Sequence, residues 1–76
     1  MSSDLSIKVL DEYVNKVLLI KLRNTQTIRG NLKSFDKHMN LILEKSEDVL
    51  SEGQRKSLGS IILRGDNILT ISLPST

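Results

Sequence analysis

Ile28-Arg29-Gly30-Asn31-Leu32-Lys33-Ser34-Phe35-Asp36-Lys37-His38-Met39-Asn40-Leu41-Ile42-Leu43-Glu44 decides how this chain folds. Ile28 and Leu32 lie on one phase of an apolar/polar alternation and Phe35 falls on the other, so a strand through this stretch must bulge or bend there. Gly30, with no side chain, marks a second place where the strand can curve or another backbone can come close. Asp36-Lys37-His38 reads as a polar turn, after which Met39, Leu41 and Leu43 resume the alternation. Two sharply bent strands around a polar tip suit a small barrel. The tip holds the only histidine of the chain.

Upstream, residues 4–14 read as a short helix, with Leu5, Val9 and Tyr13 one turn apart and Leu10 and Val14 on the adjacent stripe. Ser3 or Asp4 suits its N-terminal end. Such a helix would lie as an amphipathic lid over an open end of a sheet. Val17–Arg23 reads as a strand, and Asn24-Thr25-Gln26 as the turn into the bent strand. Downstream, the next strand spans about Met39–Lys45. Residues 46–57 are polar, charged and aperiodic apart from Val49 and Leu50, and read as a variable surface loop. Leu58–Leu63 and Asn67–Leu73 are the last two strands, joined by the tight turn Arg64-Gly65-Asp66, and Pro74 ends the second of them. The sum is a mainly β domain: a short N-terminal helix, then a strongly bent five-stranded antiparallel barrel.

The 76 residues make one domain with a thin stability margin. With no cysteine there are no disulfides and no thiolate metal sites. No run approaches the roughly 20 apolar residues of a membrane span, and Met1-Ser2-Ser3-Asp4 does not resemble a secretory leader. A soluble, cytoplasmic protein is expected, stabilised by self-association. The last two strands point the same way. Ile61, Ile62 and Leu63, then Ile68, Leu69 and Ile71, are apolar on both phases, and an uncharged apolar edge pairs with another chain unless it is covered. Head-to-tail pairing of one edge with the other edge of the next copy closes into a ring when the rotation allows.

Two motifs carry a family resemblance that spans nearly the whole chain. The first is Ile28-Arg29-Gly30 followed by Phe35-Asp36-Lys37-His38-Met39-Asn40-Leu41-Ile42-Leu43. The second is Ile61-Ile62-Leu63-Arg64-Gly65-Asp66-Asn67-Ile68. Together they resemble the Sm-like (Lsm) RNA-binding proteins, and the short chain is most similar to the archaeal members. The resemblance implies a homomeric ring, usually of seven, in which the fourth strand of each subunit pairs with the fifth of its neighbour. It also implies binding of uridine-rich single-stranded RNA at the inner rim, with a role in RNA processing, RNA stability or ribonucleoprotein assembly. RNA-processing proteins are then possible partners, and no cofactor is implied. Some relatives bind RNA a second time near an arginine or proline at the helix start; this chain has Ser2-Ser3-Asp4-Leu5, and that site does not carry over.

On the resemblance, the RNA-binding candidates are Lys37, His38, Asn40, Arg64, Gly65 and Asp66, with Gly30 and Asp36 as loop organisers. Read as strand residues, His38 and Asn40 point to one side and Met39 to the other, into the core. A histidine ring and the Arg64 guanidinium can sandwich one base. The Asn40 amide matches O4 and N3–H of uracil, but a flipped amide serves cytosine equally well. Asp36, Asp66 or loop backbone must fix it if uridine is to be preferred. Asp66 is a turn former or a nucleotide contact; Lys37 meets phosphate or water.

The function classes narrow from here. Tyr13 and Phe35 are the only aromatic residues, too few for an aromatic stacking platform. One histidine and no cysteine leave no Cys–His pair and no multi-histidine zinc site, and no G-x-S-x-G pattern occurs. A binder is expected, not an enzyme. The alternative is a ring that recruits proteins and has only electrostatic affinity for RNA. Seven copies at +2 each would carry about +14, enough to focus a field on an anionic strand at the pore.

Overall fold

The computed structural model describes residues 2–74, with side chains from Ile7 onward. One helix, α1 (Ser2–Tyr13), precedes five strands: β1 (Val17–Leu22), β2 (Thr27–Phe35), β3 (Leu41–Val49), β4 (Arg55–Leu63) and β5 (Ile68–Ser72). The strands form one antiparallel sheet in the order β4-β3-β2-β1-β5. Its inner face carries Leu18, Ile20, Leu22, Ile28, Leu32, Leu41 and Leu43, and α1 adds Leu10 to the same core. The helix turns Leu10 and Tyr13 inward, with Val14 just past its end on the same side, and leaves Val9 40% exposed, so the buried stripe sits one residue round from the expected one. The expected caps Ser3 and Asp4, and the inward place of Leu5, lie outside the described side chains.

The bend in β2 lies earlier than Phe35. Its register against β3 shifts between Arg29 and Asn31 and again between Leu32 and Ser34. The second shift leaves Lys33 as an extra residue on β2, and that extra residue carries Phe35 onto the other phase. The first shift is at Gly30, which is buried. A Cβ there would stand 3.0 Å from the Ser46 Cβ and 3.3 Å from the Leu43 Cβ. Opposite it, β3 slips its own register between Leu43 and Ser46. Gly30 therefore organises the fold of the sheet and not a loop, because its missing side chain lets β2 close onto β3 where both curve.

Three other expectations are corrected. First, β3 begins at Leu41, not Met39; Met39 sits in the turn with a left-handed φ of 64°. Second, residues 46–57 are mostly strand. β3 continues through Ser46 to Val49 and pairs with β4 from Arg55, leaving only a short turn around Ser51–Gly53. This ribbon lacks apolar alternation because most of it packs on no core. Ser46 is the exception, fully buried with its hydroxyl donating to the Gly59 carbonyl. The ribbon is held instead by its ladder and by polar pairs such as Arg55 with Glu47 at 3.6 Å and Gln26 Nε2 donating to Asp48 at 2.9 Å. Third, β4 and β5 are not a hairpin. The turn Gly65–Asn67 carries the chain across to β1, where β5 pairs with Leu19–Leu22. The two outer strands of the sheet are therefore β4 and β5, and their residues Ile62 and Leu69 are 69% and 57% exposed.

Candidate nucleic-acid interface

Crossing from β4 to β5 brings the Arg64–Asn67 turn against the β2–β3 turn. The β2–β3 turn is built on one carboxylate. Asp36 Oδ1 accepts the backbone N–H groups of His38 (2.9 Å) and Asn40 (3.0 Å), while Oδ2 accepts the Asn40 side-chain Nδ2–H (2.9 Å). The Asp36 and Asn40 backbones close the turn with a further bond of 3.1 Å, and Met39 N–H donates to the Asp36 carbonyl at 3.0 Å. Three donated hydrogen bonds, that of the Asn40 side chain foremost, hold the Asp36 carboxyl below its ordinary value. An aspartate bonded in this way holds its own loop together and has little left to offer a ligand.

The two turns meet at Asn40 and Gly65. The Gly65 N–H donates to Asn40 Oδ1 at 2.8 Å. The backbones lie so close that a Cβ on Gly65 would collide with the His38 carbonyl oxygen and stand 2.9 Å from the Met39 carbonyl carbon. Glycine is required there for space. The Asn40 amide is thereby fixed: its oxygen faces a backbone donor and its nitrogen faces a carboxylate. Flipped, it would set N–H against N–H and oxygen against oxygen. One amide hydrogen and one oxygen lone pair remain unused.

Beyond Gly65, Arg64 Nη2 pairs with Asp66 Oδ2 at 3.0 Å, both side chains largely exposed. Arg23, just after β1, reaches the same turn; its Nε–H donates to the Asp66 carbonyl at 2.7 Å. Asp36, His38, Asn40, Arg64, Gly65 and Asp66 all line one open cleft of about 970 Å³, together with the apolar Phe35, Ile42 and Ile62; Arg23 is not part of its lining. Of the expected contacts, Lys37 is exposed and does not line it. His38 and Asn40 share the cleft through the turn's geometry and not through strand alternation. Arg23 went unnoticed in the sequence. Its only signal there was a cation at a strand end, and the contact depends on β5 returning to β1.

An exposed polar cleft on a small, sharply bent sheet, with two free apolar edges beside it, defines a β-barrel binding module. The chain belongs to the Sm-like family, since the family model described as the LSM domain matches residues 8–73. It is similar to the SmAP1 heptamer of P. aerophilum, at 39% identity and a TM-score of 0.84, covering 91% of this chain and 92% of that one. It is also similar to the Pyrococcus abyssii Sm protein solved in complex with a uridine heptamer, at 34% identity and a TM-score of 0.79, covering 87% and 93%. The U6 snRNA-associated Sm-like protein of Neosartorya fischeri is 38% identical over 63 residues, 83% of this chain and 79% of that protein. Among the described residues no helix is long and apolar enough to cross a membrane.

Proposed function

We propose that copies of this chain pair β4 to β5 head to tail into a ring, heptameric like the P. aerophilum relative, whose inner rim binds uridine-rich single-stranded RNA. Each subunit holds one uridine between the His38 ring and the Arg64 guanidinium, with Asn40 reading its edge. The fixed Asn40 amide carries this reading. With the orientation set by Gly65 and Asp36, the spare N–H meets O4 of uracil and the spare lone pair accepts N3–H. Cytosine presents a donor and an acceptor in the reverse order and meets like against like. Uridine preference thus has a cause in this chain's own loops.

The bare edges support the ring. Leaving Ile62 and Leu69 in water on the two edge strands, each paired on one side only, costs both hydrophobic burial and backbone hydrogen bonds. The module acts as a binder of cytoplasmic RNA in processing, decay or ribonucleoprotein assembly, with no reaction of its own. The test is fluorescence anisotropy of labelled oligo-U competed with oligo-C and oligo-A at one fixed salt, for wild type and Asn40→Ala. The expected result is that oligo-U wins and the substitution removes its advantage. Equal competition by all three, unchanged in Asn40→Ala, would reduce the ring to a scaffold with electrostatic affinity alone.

A further inference from the structure

We propose that Arg23 is a second cation of the RNA rim, gripping the phosphodiester backbone while His38, Asn40 and Arg64 handle the base. This rests on the rim reading above. Three observations converge on it. The Arg23 main chain is tied to the turn, its N–H donating to the Asn67 carbonyl at 2.8 Å, so the side chain starts from a fixed point. Its Nε–H is spent on the Asp66 carbonyl at 2.7 Å, which fixes the plane of the guanidinium. Among the described residues its two Nη groups have no hydrogen bond and no carboxylate within ion-pair distance.

Arg64 differs on this point. One of its Nη groups is already paired with the Asp66 carboxylate, which offsets its charge at the cleft that both residues line. Asp66 thus anchors two guanidinium groups, Arg64 through its side chain and Arg23 through its main chain. It works as a positioning residue for both. The unpaired charge at the turn belongs to Arg23. A planar fork with both Nη groups free fits two oxygens of one phosphate. The phosphate is common to every nucleotide, so Arg23 adds affinity without adding preference among bases.

The experiment measures oligo-U and oligo-A affinities across a salt series for wild type, Arg23→Gln, Arg23→Lys and Asn40→Ala, with ring mass checked by light scattering. Glutamine keeps an N–H for the Asp66 carbonyl and removes the charge. Arg23→Gln is expected to weaken oligo-U and oligo-A by the same factor, on the order of tenfold for a strand spanning several subunits. It should also flatten the plot of log affinity against log salt by about 0.7 for each phosphate that is no longer neutralised. Arg23→Lys should keep the slope and lose only part of the affinity. An intact ring whose Arg23→Gln form keeps the wild-type slope would overturn the proposal, whether or not affinity falls, because a residue that only props the turn moves affinity alone. Failure of the rim reading looks different: wild type and Asn40→Ala would then show no oligo-U preference to lose.

Discussion

Asn40 and Gly65, separated by 25 positions, are joined by a 2.8 Å hydrogen bond from the glycine N–H to the asparagine side-chain oxygen. That bond makes one site of two loops, and it decides which way the amide points. A doubly oriented amide edge discriminates between bases by about 1–3 kcal/mol. Asn40→Ala should therefore cost the ring its preference for oligo-U over oligo-C, roughly tenfold or more, while leaving the salt dependence of binding unchanged. Competition anisotropy reads both quantities.

Gly65→Ala should be more damaging than its size suggests. The added Cβ meets backbone and not a movable side chain, so the two turns must separate. Overpacking of this kind costs about 1–3 kcal/mol. A lowered melting temperature together with loss of uridine preference is the expected pair of results. A variant that melts like wild type would show that the loops do not touch in solution.

The carboxyl of Asp36 predicts an acid limit for the loop. Its folded pKa lies below the unfolded value, chiefly through the hydrogen bonds from Asn40, so it binds its proton less readily in the folded chain. Its stabilisation is complete above the unfolded pKa of about 3.9 and is lost as the pH falls through the lower folded value. As the pH falls below about 4, the backbone amide resonances of His38 and Asn40 should shift together as the carboxylate that accepts both of them is protonated. In Asp36→Asn the same resonances should show no such step.

Ile62→Lys tests the edge. With Ile62 already 69% exposed in the single subunit, the substitution should change the stability of that subunit little, within about 0.5 kcal/mol. Against a neighbouring strand, however, the charge would be buried without a partner. Light scattering should report a shift from ring to monomer, with circular dichroism unchanged. A ring of wild-type mass would place the contact elsewhere.

How far the sequence could be read follows from what each segment packs against. The core strands announced themselves because Leu18, Ile20 and Leu22, and Leu41 and Leu43, alternate against one buried face. The Glu47–Val49 and Arg55–Ser57 pairing left no such trace, since a ribbon packed on little core has no reason to alternate. The bend was visible as a change of phase at Phe35, but the extra residue causing it is Lys33, and only the register shows which residue is surplus. In the site, the residue types of the two motifs were legible. Asp36 and loop backbone were legible as candidates to fix the Asn40 amide, and Asp36 does so within its own turn. The part played by Gly65, its close approach and the reach of Arg23 were not legible, because each depends on the chain crossing from β4 to β1.

The outer ribbon has a further consequence. Residues 50–57 are exposed throughout, at the far end of β3 and β4 from Leu41 and Leu63, where those strands approach the two turns. Lengthening the tip around Glu52 and Gly53 would draw only on loop-closure entropy, about 0.6 kcal/mol for each doubling of length. The tip is accordingly a place to graft. A peptide inserted there would project from every subunit on one side of a ring, a repeated display whose spacing is set by the barrel and whose content is not.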